Sequence, residues 1–182
     1  VFTEDLLKSL PKGEMAIGHC RYGTKNSRHA DDAQPLVIRH IKGGMAIANN
    51  GSLTNSHELR RELELNGAIF HTHSDAELIA YLVTKERLTA PSIQAAISRA
   101  MDRLRGAFSL CIMSPQKMIA VRDPLGFRPL CIGRLGNSYV VASESCALYS
   151  IGATLLRDVL PGEIVIITKD GIESDTSHCQ EK

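Results

Sequence analysis

Long apolar runs, paired cysteines and net charge are what this chain lacks. No stretch approaches the roughly 18 consecutive apolar residues of a membrane-spanning helix, so no membrane span is expected. A formal net charge of +1 argues against broad attraction to nucleic acid or anionic lipid, and neither is an expected partner. The five cysteines, Cys20, Cys111, Cys131, Cys146 and Cys179, are odd in number and never spaced Cys-x-x-Cys. That argues against a disulfide framework and fits a reducing cytoplasm. His71 and His73 lie two apart with no third ligand, so they read as a loop pair and no metal site is expected. Val1-Phe2-Thr3-Glu4-Asp5 has neither the basic nor the apolar part of a signal peptide.

The 182 residues, 43% apolar and 23% charged, suffice for one well-buried domain spanning 1–182. Thr3 before Glu4 and Asp5 predicts a capped helix that Pro11 and Gly13 end. Met15 to Tyr22 alternates like a strand. Pro35 to Arg39 and Met45 to Ala48 predict two strands joined through Lys42-Gly43-Gly44. Helices are expected from Ser56 to Asn66, with Gly67 as its cap, and after Ser74-Asp75-Ala76-Glu77, a capping-box pattern. A third is expected from Pro91, with Ile93, Ala96, Ile97, Ala100, Met101 and Leu104 at helical spacing. Phe108–Met113, Met118–Arg122, Leu130–Gly133, Tyr139–Ala142 and Ile164–Thr168 read as strands. Strands cluster with strands, so antiparallel sheets packed with helices are expected rather than a doubly wound parallel sheet: an α+β fold.

Three short segments carry chemistry. Arg21 precedes Tyr22-Gly23-Thr24; a guanidinium grips a carboxylate with parallel hydrogen bonds, and a small-residue turn beside it admits a ligand. An isolated arginine is ordinarily just surface. Asn50-Gly51 is ordinarily a hairpin turn, yet Ser52-Leu53-Thr54-Asn55 leads into a helix rather than a second strand. The functional alternative is an oxyanion hole, the Asn50 amide plus the Gly51 N–H, each such donor being worth about 3 kcal/mol to a transition state. Asp75 at a helix start is favoured there by the dipole alone. Beside Arg21 it becomes a partner for an α-ammonium, and the pair would hold a free amino acid by both charged ends.

A nucleophile is not evident. His19 and Cys20 are neighbours on an expected strand and point to opposite faces. Cys179, beside His178, is expected in a polar tail with no scaffold to hold it. Val1 has no nucleophilic side-chain atom. No competent nucleophile–base pair emerges.

Taken in order, these segments resemble the glutaminase domains of the amidophosphoribosyltransferases, a branch of the N-terminal-nucleophile hydrolases. Gly18-His19-Cys20-Arg21-Tyr22-Gly23-Thr24 is similar to the family's Gly-His-x-Arg-Tyr-x-Thr. Asn50-Gly51-Ser52-Leu53-Thr54-Asn55 is similar to its Asn-Gly-Asn-Leu-x-Asn, and Ser74-Asp75-Ala76-Glu77 to its Ser-Asp-(Thr/Ser)-Glu. Downstream, Asp123-Pro124-Leu125-Gly126-Phe127-Arg128-Pro129-Leu130 and Ala142-Ser143-Glu144-Ser145-Cys146-Ala147 continue the match. The related glutaminase domain of hexosamine-phosphate synthase tends to carry tryptophan where Tyr22 stands, and this chain has no tryptophan. Departures are Ser52 for asparagine and Asn49 where histidine is common.

The resemblance implies an αββα sandwich of two antiparallel sheets, here without the family's first strand and helix. It implies that Arg21 and Thr24 bind the glutamine α-carboxylate end, Asp75 its α-ammonium, and that Asn50 and Gly51 form the oxyanion hole. The family's nucleophile is an N-terminal cysteine with its own amine as base, which this chain does not contain. The chain therefore reads as a fragment cut at both ends and inactive alone. Its parent would pass ammonia to phosphoribosyl pyrophosphate on a phosphoribosyltransferase domain, making 5-phosphoribosylamine for purine biosynthesis. No cofactor is expected in this part; Mg2+ and, in some members, a 4Fe-4S cluster are implied for the parent, as is a homo-oligomer. The alternative is a catalytically dead glutamine-binding module.

Overall fold

A hairpin begins the larger of two sheets. β1 (Leu36–His40) and β2 (Gly43–Leu53) pair antiparallel and close at His40–Gly43. β2 pairs with β3 (Gly106–Ser114), which turns back into β4 (Lys117–Arg122). β8 (Ile164–Thr168) and β9 (Gly171–Asp175) extend it to six strands in the order β1-β2-β3-β4-β8-β9. β5 (Cys131–Leu135), β6 (Ser138–Ala142) and β7 (Thr154–Asp158) form a three-stranded antiparallel sheet, β6-β5-β7. This computed structural model describes residues 3–21 and 30–180.

The period-two alternation of each strand decides what lies between the layers. Met45, Ile47, Phe108, Leu110, Ile112 and Ile119 point to one face and are buried against helices α2 (Ser56–Leu65), α3 (Asp75–Arg87) and α4 (Ile93–Met101). The expected stripe Leu78, Ile79, Leu82 and Val83 of α3 lies in this core, each such side chain contributing about 1.5–3 kcal/mol by burial. The opposite face meets the small sheet only at one end, where Ala120, Val165 and Ile167 pack on Leu130, Ile132 and Val159. A short helix α5 (Ser145–Ser150) covers the far side through Leu148. The layers run helices, sheet, sheet, helix: the αββα sandwich of two antiparallel sheets.

Helix ends follow the sequence with two amendments. Thr3 caps α1 (Glu4–Ser9), accepting from the Leu6 N–H, and Gly67 (φ +88°) ends α2. Ser92, not Pro91, caps α4, accepting from the Ala95 N–H at 3.1 Å. Ser74 caps α3 through the Ala76 N–H, but Glu77 does not complete the box. Its buried carboxylate instead takes the His71 and Thr72 N–H groups and the Thr72 hydroxyl. A buried carboxylate goes where the most donors converge, and the loop before the helix offers three.

The Met15–Tyr22 strand is not formed. Residues 15–21 alternate half-buried and exposed as the pattern predicted, yet no strand pairs with them; Tyr22 lies outside the described residues. Alternation sets which way side chains point, but a strand also needs a neighbour for its N–H and C=O groups. The neighbours of β2 are β1 and β3, so the segment leading to Arg21 does not flank it as a strand. β2 itself continues past Asn50 to Leu53, because β3 pairs with it as far as Leu53–Gly106.

Candidate active site at the open edge of β2

The two halves of β2 differ in their partners. Residues 43–47 pair with β1, and residues 46 and 47 with β3 as well, whereas residues 48–53 have β3 alone. On the open side the Asn49 N–H donates to Gln34 Oε1 at 2.6 Å and the Leu53 N–H to Asp75 Oδ2 at 2.8 Å. Backbone N–H groups alternate sides along a strand, so the Gly51 N–H between them is aimed out of the same edge. Glycine is required there. Gly51 has φ +152°, and a Cβ would overlap the Ala107 carbonyl oxygen of β3. Asn50 and Gly51 therefore sit within a continuous strand and not in a hairpin turn.

Asp75 begins α3 at this edge, half-buried. Burial raises its pKa above the usual carboxylate value, opposed by the Leu53 N–H bond and the Arg60 charge. A cation brought against it would reverse the effect of burial. Arg60 is fixed over the Phe70 ring, 4.0 Å from its centroid, with a hydrogen bond from Nη2 to the Thr72 carbonyl at 2.9 Å.

Arg21 and Asp75 are joined through Asp32. The Asp32 carboxylate is buried, accepts from Arg21 Nη2 at 3.2 Å, and accepts from the His73 N–H at 2.9 Å. His73 lies two residues before Asp75, so one carboxylate ties the arginine to the loop that presents the aspartate. An ionised carboxylate held by a guanidinium and a backbone N–H is a stiff connection. Thr24, expected beside Arg21, lies outside the described residues.

Asn50 faces the other way from the helices. Its side chain lines a cleft of about 1430 Å3 between the sheets, with Ala48, Ser109 and Cys111 on the large sheet and Tyr139 and Val141 on the small one. Residues 14–20 run along this cleft and end at Arg21. The cleft exists because three strands cannot cover six, and the uncovered part of the large sheet carries small and polar side chains. Asn50 and Gly51 thus sit where the cleft meets the Arg21–Asp75 edge.

No thiol is hydrogen-bonded to a histidine among the described residues; exposed Cys146 donates from Sγ to Glu144 Oε2 at 3.4 Å. His19 is half-buried and Cys20 exposed, in keeping with opposite directions along an extended segment. Burial pushes the Cys111 thiol up to about 11 and also raises Cys131. The tail expected to lack a scaffold has one. His178 Nε2 contacts Asp102 Oδ1 at 2.9 Å, and the Cys179 N–H donates to the Thr176 carbonyl at 2.9 Å. Gly162 (φ +82°) lets the His178 backbone pass where a Cβ would collide. Cys179 remains unsuited to attack, because burial, then Glu163 and Asp175, raise its pKa.

Asp32 and Gln34 were not singled out from sequence. Both lie in Asp31-Asp32-Ala33-Gln34-Pro35, a polar stretch with no periodicity, and their roles depend on backbone groups at positions 49 and 73. A buried carboxylate is legible only once its donors are placed.

A family model described as a glutamine amidotransferase domain matches residues 19–150, which contain the β2 edge, Asp32 and Asp75. The chain is 46% identical over 171 residues to the amidophosphoribosyltransferase of Methanocaldococcus jannaschii, covering 94% of this chain and 36% of that protein. It is 44% identical over 174 residues to amidophosphoribosyltransferase 2, chloroplastic, of Arabidopsis thaliana, covering 95% of this chain and 30% of that protein. The chain thus spans about a third of the length of these relatives. The solved structure of the Bacillus subtilis glutamine phosphoribosylpyrophosphate amidotransferase, complexed with ADP and GMP, superposes with a TM-score of 0.81. That match is 40% identical and covers 86% of this chain and 33% of that one. On sequence, fold and the residues matched, the chain belongs to the glutamine amidotransferase domain family.

Proposed function

We propose that this chain is the glutamine-hydrolysing part of an amidophosphoribosyltransferase of purine biosynthesis, and that the open edge of β2 is its glutamine site. The observation that carries the reading is the outward-aimed Gly51 N–H, flanked by Asn50 on the cleft and Asp75 on the edge. Arg21, steadied by Asp32, takes the α-carboxylate with the hydroxyl of Thr24. Asp75 takes the α-ammonium. The side-chain amide then lies towards Asn50 and Gly51, whose N–H groups stabilise the oxygen of the tetrahedral intermediate. The released ammonia passes to phosphoribosyl pyrophosphate on a transferase domain of the longer protein, giving 5-phosphoribosylamine.

The attacking group is not supplied by the residues described above, and we assign it to the N-terminal cysteine that the resemblance implies. The chain by itself is accordingly inactive as a glutaminase. Among the described residues no group of three or more His, Cys, Asp or Glu converges on a metal position. The Mg2+ and the iron–sulfur cluster implied by the resemblance are assigned to the transferase-bearing part. The homo-oligomer and the cytoplasmic setting belong to the same proposal.

Glutamine titrated into the chain, followed calorimetrically and by melting temperature, tests the site. Binding is expected, with Arg21→Ala and Asp75→Asn each abolishing it. A response untouched by both substitutions would place the ligand elsewhere. The lack of a thiol–histidine pair among the described residues favours a second reading, a glutamine-binding module without hydrolysis. Ammonia release after adding an N-terminal segment that begins with cysteine separates the two: release supports the enzyme, and its absence the module.

A further inference from the structure

Away from the β2 edge, a cavity of about 460 Å3 opens where the β1–β2 and β3–β4 turns meet the end of α3 and the start of α4. Its charged lining is of one sign: His40, Lys42, Arg87 and Lys117, with no aspartate or glutamate. His40, Arg87 and Lys117 are half-buried. Among the described residues, none of Lys42, Arg87 and Lys117 forms an ion pair with a carboxylate. A cation withdrawn from water needs a counter-charge or must give up its proton, and a guanidinium cannot do the latter.

The surroundings prepare these groups for a ligand. Arg87 is oriented by a bond from Nη1 to the Ala90 carbonyl at 2.7 Å. The Lys42 N–H donates to His40 Nδ1 at 3.2 Å, which leaves the ring proton on Nε2 as a donor. Burial, then the Arg87 charge, lower the His40 pKa. Gln94, also in the lining, keeps its Oε1 buried without a hydrogen-bond partner. That is an acceptor waiting for a hydroxyl or amino group.

We propose that this cavity binds a small phosphate ester carrying hydroxyl groups, its phosphate held by Arg87 and Lys117 and a hydroxyl donated to Gln94. A tetrahedral dianion matches several convergent cations better than a single carboxylate does, and the volume exceeds what phosphate alone would fill. The site is separate from the glutamine site and does not depend on that reading.

Glycerol 3-phosphate titrated into the full chain, with the His40 imidazole followed by NMR, tests it. A saturable response is expected, with the His40 pKa rising as the anion binds. Loss of one charge-assisted contact in Arg87→Ala or Lys117→Ala should weaken binding about tenfold. Arg87→Lys should retain part of it, and glutamine binding should be unchanged in all three. Inorganic phosphate should bind more weakly than the ester, a difference that Gln94→Leu removes. An equal response to sodium chloride at matched ionic strength, or full affinity in Lys117→Ala, would overturn the proposal.

Discussion

The two halves of β2 share one backbone and one neighbour in β3, yet serve different ends. Residues 43–47 pair with β1, with β3 joining on the second side at residues 46 and 47, and the strand is ordinary sheet. In residues 48–53 β1 is gone, and side chains from distant segments stand in for it: Gln34 for Asn49 and Asp75 for Leu53. Gly51 lies between them with its N–H aimed outward. An unpaired sheet edge is ordinarily a liability; here polar side chains bracket it and leave one donor for a ligand. A site needs backbone groups that the fold does not consume, and the end of β1 supplies them.

The contrast is tested most severely by glycine. Gly51→Ala is expected to destabilise the domain by more than about 3 kcal/mol, from strained backbone and overlap with Ala107. Gly44→Ala, in the half paired with β1, has Ile38 O as its nearest neighbour at 3.8 Å. It should change stability by no more than about 0.5 kcal/mol. Urea denaturation of the two variants makes the comparison, and equal losses would remove Gly51 from any special role.

Removing the Asp32 link between Arg21 and the loop before Asp75 comes next. Asp32→Asn keeps the shape but loses the charge that Arg21 and the His73 N–H share. A loss of about 2 kcal/mol in stability is expected, with weaker glutamine binding. Retained binding would make Asp32 merely structural. Smaller again is Gln34→Ala, which leaves the Asn49 N–H without its acceptor and should cost about 1 kcal/mol. Calorimetric melting reads both, and no loss in Gln34→Ala would show that water replaces the amide.

The mildest expectation concerns pH. The folded-state pKa of Asp75 is raised, chiefly by burial. Its contribution to stability is therefore present in full below the ordinary aspartate value and is lost as pH rises through the raised one. For the proposed glutamine site the opposite dependence is expected, because an ammonium needs the carboxylate charged. Affinity should fall as pH drops through a value above the ordinary aspartate range. Arg157 and Glu163 supply the reference far from the site. Burial of Glu163 raises its pKa, but the guanidinium contacts at 2.8 Å outweigh this and hold it low. Their stability is present above the ordinary glutamate value and lost as pH falls. Melting curves against pH, for the chain and for Glu163→Gln, should separate the two trends; a Glu163→Gln profile parallel to that of the parent would remove the second.

Local sequence determined much of this protein. Alternation in Phe108–Met113 and Ile164–Thr168, the 3.6-residue stripe of α3, and the caps at Thr3 and Gly67 all depend on neighbours a few residues away, and all are formed. Antiparallel sheets packed with helices were legible from the clustering of these strands, their number from the resemblance, and the segments holding Arg21, Asn50, Gly51 and Asp75 were legible too. β7, β9 and α5 were missed because each is short and takes its form from what it packs against: Leu148 of α5, for example, is buried on Cys131 and Ala153. Whether residues 15–21 formed a strand, how far β2 ran, and where Glu77 spent its carboxylate turned on partners distant in sequence. So did Asp32, whose meaning lies 41 residues away at His73. Side-chain direction is a local property of the backbone, whereas hydrogen-bond satisfaction is settled only when the whole chain has chosen its neighbours.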